Sequence, residues 1–203
     1  MDPLVWLAKI GLVILCVAGT SACGAREARV DYAAWSVNDP RQGAYRIGVS
    51  DVIRVTVWKD PSLSTDTTVR PDGKITVPLI GELEAGGRTA AEVQEQLVRR
   101  LAAFVKDAIV TVAVVEVNSY RFTVAGNVER PGMFTPRYYV TVSEAIALAG
   151  GPNRFGSTDE TVVIRPRLGA PPVRIPIDYD RILTGERPEA DIVIRPGDTV
   201  LVP

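Results

Sequence analysis

The sequence predicts an α+β fold in two small mixed domains. Three observations carry this reading. Runs rich in β-branched residues, such as Val52 to Trp58 and Ile109 to Val117, have strand length and are bounded by turn residues. Two capping boxes, Thr89-Ala90-Ala91-Glu92 and Thr141-Val142-Ser143-Glu144, each open one helix. Each half therefore reads as strands, one helix, then more strands, with the helix laid on one sheet face.

Taken in order, Val52-Ile53-Arg54-Val55-Thr56-Val57-Trp58 is the first strand, ended by Asp60-Pro61. Thr67 to Arg70 and Lys74 to Leu79 flank Pro71-Asp72-Gly73, a turn with proline first and glycine last. Behind the first capping box, Val93, Leu97, Leu101 and Phe104 recur at helical spacing, predicting a helix over Thr89–Val105 with these four in the core. Glu95, Gln96, Arg99 and Arg100 cover its other face. In the second half, Arg121 to Ala125 is a strand, turned by Pro131-Gly132 toward Met133 to Thr135. The second capping box leads a short helix carrying Ala145, Ile146 and Ala149, stopped by Gly150-Gly151 as a left-handed cap. Thr161 to Arg165 and Val173 to Ile177 pair, and Ile192 to Arg195 and Thr199 to Val202 flank Pro196-Gly197-Asp198. The stretch from Arg70 to Pro78 echoes that from Arg195 to Pro203, which fits either a duplication or shared turn chemistry.

Ahead of the domains, residues 1–22 read as a signal peptide. The apolar run from Ile10 to Ala18 is too short to span a bilayer and suits the hydrophobic core of a secretory leader. Thr20-Ser21-Ala22-Cys23 places small residues before a cysteine, similar to a bacterial lipobox, so Cys23 is the expected lipidation site. A plain cleaved signal or a short anchor helix is the alternative. Several acyl chains would give a stable anchor where one is marginal. Gly24 after the cysteine, rather than aspartate, directs such lipoproteins to the outer membrane by default. Residues 23–44 are polar without a period and read as a lipid-anchored tether. Domains are expected at 45–117 and 118–203.

Composition narrows the function. With 23 Lys+Arg against 24 Asp+Glu the chain has no basic footprint for nucleic acid. The absence of histidine removes Ser-His-Asp and Cys-His catalysis and His-ligated metals. No catalytic residue, metal or cofactor is expected.

The motifs then converge. Tyr45 to Ile53, Val69-Arg70-Pro71-Asp72-Gly73-Lys74-Ile75, Pro78-Leu79-Ile80-Gly81 and Gly87-Arg88-Thr89 resemble the first domain of the outer-membrane polysaccharide export (Wza-type) family. Val124-Ala125-Gly126-Asn127-Val128-Glu129-Arg130-Pro131-Gly132 and Thr141 to Gly151 resemble an SLBB domain, a β-grasp fold. The pattern departs at Val49-Ser50-Asp51, where the family carries Pro-Gly-Asp. The resemblance implies a ring of identical lipoproteins conducting capsular or extracellular polysaccharide. It implies an inner-membrane chain-length regulator of the copolymerase type as partner, and no chemistry on the sugar. A monomeric periplasmic glycan-binding lipoprotein is the alternative, and a two-carboxylate glycosidase a more distant one.

Individual residues read mostly as structural. Trp58, Tyr120, Tyr138 and Tyr139 can stack on sugars but fit core or interface better. Arg99, Arg100, Arg121, Arg130, Arg154, Arg165 and Arg167 can face an acidic polymer, yet suit a solvated face or ion pairs. Asp51, Asp72 and Asp198 sit in turns, where aspartate satisfies local amides. No stretch after Val105 offers a membrane-spanning helix. A separate outer-membrane pore, such as a β-barrel, is therefore expected to supply the crossing.

Overall fold

The computed structural model describes residues 30–37 and 39–203. In chain order its elements are α1 (Ala33–Ser36), β1 (Val52–Val57), β2 (Thr65–Thr68), β3 (Lys74–Val77), β4 (Gly81–Glu84), α2 (Ala90–Leu101) and β5 (Val110–Glu116). There follow β6 (Phe122–Gly126), β7 (Gly132–Phe134), α3 (Val142–Leu148), β8 (Thr161–Arg167), β9 (Ala170–Ile177), α4 (Tyr179–Leu183) and β10 (Thr199–Val202). The α+β reading holds, with two separate hydrophobic cores.

The first core forms because β1 alternates. Ile53, Val55 and Val57 point inward while Arg54 and Thr56 face water. β1 is the centre of an antiparallel sheet of order β2-β1-β5. The Pro71-Asp72-Gly73 turn forms, the Gly73 amide donating to the Arg70 carbonyl at 2.9 Å. β3 then pairs with β4, which periodicity missed because its four residues bury only Leu83.

The first capping box is built as expected, with Glu92 N–H on Thr89 Oγ1 and Thr89 N–H on Glu92 Oε2. Val93, Leu97 and Leu101 are fully buried. Phe104 is not: it is 61% exposed, and the helix stops at Leu101 rather than reaching Val105. The amides of both Phe104 and Val105 fall on the Leu101 carbonyl, so the chain tightens there. That tightening turns Phe104 outward, and Val105 packs on the core instead.

The second core lies under a five-stranded sheet of order β7-β6-β10-β8-β9. β10 runs parallel to β6 and antiparallel to β8. α3 starts at a complete Thr141–Glu144 capping box and ends at Gly150 and Gly151, both with positive φ. β8 and β9 pair as expected. Ile192 to Arg195 is not a strand; it makes one bridge, Val193 to Thr141. Asp191 explains the departure, because its carboxylate takes the Ser143 amide and hydroxyl and pulls this segment toward the start of α3.

Residues 30–37 fall within the stretch read as tether, yet they lie against the second domain. Tyr32 is buried in the second core and donates its hydroxyl to the Pro176 carbonyl at 2.8 Å. Val30 and Trp35 pack on the same core. The missed signal was three apolar residues, Val30, Tyr32 and Trp35, inside a polar run. Among the described residues no helix is long and apolar enough to cross a membrane.

Candidate functional site

Two constructions of polar side chains stand out. The first joins the domains. Asp51, fully buried just before β1, receives the amides of Gly48, Asn118 and Ser119 at 2.7–2.9 Å and the Tyr45 hydroxyl at 2.6 Å. Asn118 and Ser119 are the crossing between the domains, so one carboxylate fixes the exit of one domain and the approach to the next. A carboxylate that accepts three backbone amides is held strongly. Tyr45 also stands 6.5 Å, centroid to centroid, from Tyr139 of the second domain. Burial, then the Asp51 hydrogen bond, push the Tyr45 phenol well above its ordinary range. Burial pushes Tyr120 up to about 12. Its hydroxyl donates to Ile194 and accepts from the Val140 amide. Both phenols stay protonated at neutral pH, as their donor roles require.

The second construction lies on the second domain beside β8. Arg165 and Asp198 form a buried ion pair at 2.7 Å, with side chains 7% and 0% exposed. Arg165 Nε also donates to Asp198, and Nη2 also donates to the Val193 carbonyl. Asp198 further accepts the Arg195 amide at 2.8 Å, which sets the turn before β10. Arg165 Nη1 is buried without a hydrogen-bond partner among the described residues. Such an unmet donor costs about 1–3 kcal/mol. The Trp35 ring covers the guanidinium, centroid 5.7 Å from Cζ. Arg195 reaches the carbonyls of Trp35 and Val37 at 3.5 and 3.3 Å. Burial first, then the neighbouring Arg165 charge, hold the Arg195 guanidinium below its ordinary value.

The other residues singled out in the sequence scatter. Tyr120 is core and Tyr139 packs edge-on against it at 4.8 Å. Trp58 and Tyr138 are exposed. Asp72 is exposed and pairs with Arg70, whereas Asp51 and Asp198 are buried hubs rather than simple turn residues. Of the seven arginines, Arg165 is buried; Arg99, Arg100, Arg121, Arg130, Arg154 and Arg167 are exposed. Cys23 lies outside the described residues. A shallow groove of about 430 Å³ on the first domain is lined by Lys74, Glu82, Glu84, Arg88, Gln96 and Arg100. Its charges pair with one another: Lys74 with Glu82, Arg88 with Glu84. Exposed pairs of this kind contribute little.

The two cores and the joint between them define a class: an export-type domain followed by a β-grasp domain of the SLBB kind. Residues 39–115 match the polysaccharide biosynthesis/export protein family, and residues 121–176 match the SLBB domain. The chain thus carries a region similar to polysaccharide export proteins followed by one similar to SLBB domains. Similar proteins include the EPS I polysaccharide export outer membrane protein EpsA of Ralstonia solanacearum, 32% identical over 133 residues, which are 54% of this chain and 35% of that protein. The exopolysaccharide production protein ExoF of Rhizobium meliloti is 32% identical over 149 residues, 68% of this chain and 32% of that protein. EpsA of Ralstonia nicotianae is 29% identical over 182 residues, 78% of this chain and 47% of that protein. The chain thus spans a third to a half of the length of the curated relatives it matches.

Proposed function

We propose that this protein is a component of a polysaccharide export machine at the outer membrane's periplasmic face, held there by lipid on Cys23. It assembles as a ring of identical copies that conducts a capsular or extracellular polysaccharide without altering it. The ring's other contact is an inner-membrane copolymerase that regulates chain length. The observation that carries this reading is the pair of domain matches in the order export domain, then SLBB domain, alongside similarity to relatives named for exopolysaccharide export and production. The domain limits we propose are 45–117 and 118–203. The Asp51 joint, which ties the exit of the first domain to the approach of the second, supports a conduit, since a ring closes only when each copy presents the same geometry.

The test is deletion of the gene in its host, with polymer measured inside and outside the cell. The expected result is polymer lost from the surface, restored by the wild-type gene and not by Cys23→Ser. Surface polymer at the wild-type level in the deletion strain refutes the export role. Light scattering of the purified protein separates a closed ring from a monomer.

A further inference from the structure

We propose that Arg165 and Arg195, under a lid formed by residues 30–37, are a binding site for a carboxylate of an acidic sugar. The sugar in this assignment rests on the export reading above; the oxyanion site rests on geometry alone. The Arg165 guanidinium pairs with Asp198, which takes only the backbone amide of Arg195, so the Arg195 guanidinium leaves the cluster one positive charge in excess. Arg165 spends Nε and Nη2 on Asp198 and Val193, and its buried Nη1 is left over. Among the described residues the Arg195 guanidinium meets two neutral carbonyl oxygens at 3.3 and 3.5 Å, those of Val37 and Trp35. These oxygens occupy positions that suit the oxygens of an anion. A carboxylate is the stronger acceptor for a guanidinium, through its charge and its paired oxygens.

The lid is anchored upstream by the buried Tyr32, and only its last turn lies over Arg165. α1 is a single turn of four residues, capped at its start only by Asp31 accepting the Ala34 amide at 3.3 Å, and its Trp35 lies over Arg165. Segments with so few backbone bonds of their own open at low free-energy cost. Lifting α1 uncovers Nη1 of Arg165 and releases Arg195 together. The lid and the anion therefore compete, and affinity is reduced by the fraction of time the lid is closed.

The test uses the full chain in detergent with Trp6→Phe and Trp58→Phe, which leave Trp35 as the one indole of three. Hexagalacturonate is expected to move Trp35 emission to the red in a saturable way. Maltohexaose and inorganic phosphate at the same concentrations are expected to leave it unchanged. Arg195→Gln, whose melting curve should match its parent, is expected to weaken binding at least tenfold. By calorimetry Trp35→Ala is expected to bind hexagalacturonate about tenfold tighter, which a merely structural tryptophan would not do. No saturable response, undiminished affinity in Arg195→Gln, or weaker binding by Trp35→Ala overturns the site. Equal binding of phosphate overturns the acidic-sugar assignment. None of these failures touches the export reading, which is decided by polymer on the cell surface.

Discussion

At Val49-Ser50-Asp51 the chain places serine where the export family carries glycine. Ser50 nonetheless takes φ of 77°, the left-handed region that glycine adopts at little cost. A non-glycine residue there costs about 1–2 kcal/mol, part of which returns because glycine widens the unfolded ensemble. Among the described residues the Ser50 side chain has no hydrogen-bond partner; its carbonyl accepts from Asn118. Ser50→Gly is therefore expected to raise stability by roughly 0.5–1 kcal/mol. Gly48 is the opposite case. A Cβ there would overlap the Ser119 side chain, and the Gly48 amide is one of the donors that hold Asp51. Gly48→Ala should cost about 1–3 kcal/mol, the range of an overpacked site. Urea denaturation of the two variants checks both signs. Equal midpoints for Ser50→Gly and Gly48→Ala would show that neither the strain nor the contact matters.

Among the elements, α2 separates what periodicity reads well from what it cannot see. Leu97→Ala is expected to lower stability by about 2–5 kcal/mol, as at other fully buried leucines. Phe104→Ser, one turn beyond the helix end, should change it by less than about 0.5 kcal/mol. A melting curve in which Phe104→Ser is the more damaging of the two would put the helix end in the wrong place. The same contrast recurs along the chain. Both helices with capping boxes were legible, because a cap and its hydrophobic face lie within a few residues of one another. β4 and α4 were not, since four or five residues with one buried side chain carry no period. The polar constructions were legible only in part. Asp51 and Asp198 were recognisable as turn aspartates, but their decisive partners lie 67 and 33 residues away. Only folding brings Ser119 to Asp51, or Trp35 to Arg165.

For the whole molecule, the course of residues 30–37 sets which end the proposed anchor on Cys23 would draw toward the bilayer. Tyr32 contacts β9 at Pro176, which pairs with Val162 of β8. Trp35 lies on Arg165, three residues further along β8. The segment therefore runs along the sheet for about 10 Å, one strand step per residue. It runs toward the level of Phe122 and the joint with the first domain, and its N-terminal end points away from that joint. Cys23 is seven residues from Val30, a reach of at most about 25 Å when extended. The proposed lipid on Cys23 would thus keep the second domain near the bilayer. β1 leads away from the Asp51 joint, and Trp58 stands beyond its far end, about 20 Å further on. Trp58 is 64% exposed there, hydrogen-bonded through its amide to the carbonyl of the equally exposed Ile109. The acylated protein on vesicles containing a dansyl lipid tests this arrangement, with Trp58→Phe and Trp35→Phe reporting one domain each once the leader and its Trp6 are removed. Energy transfer to the lipid is expected to be clearly stronger from Trp35 than from Trp58. Transfer that is equal, or stronger from Trp58, would mean that the first domain lies on the bilayer and that residues 30–37 do not carry the anchor to the second.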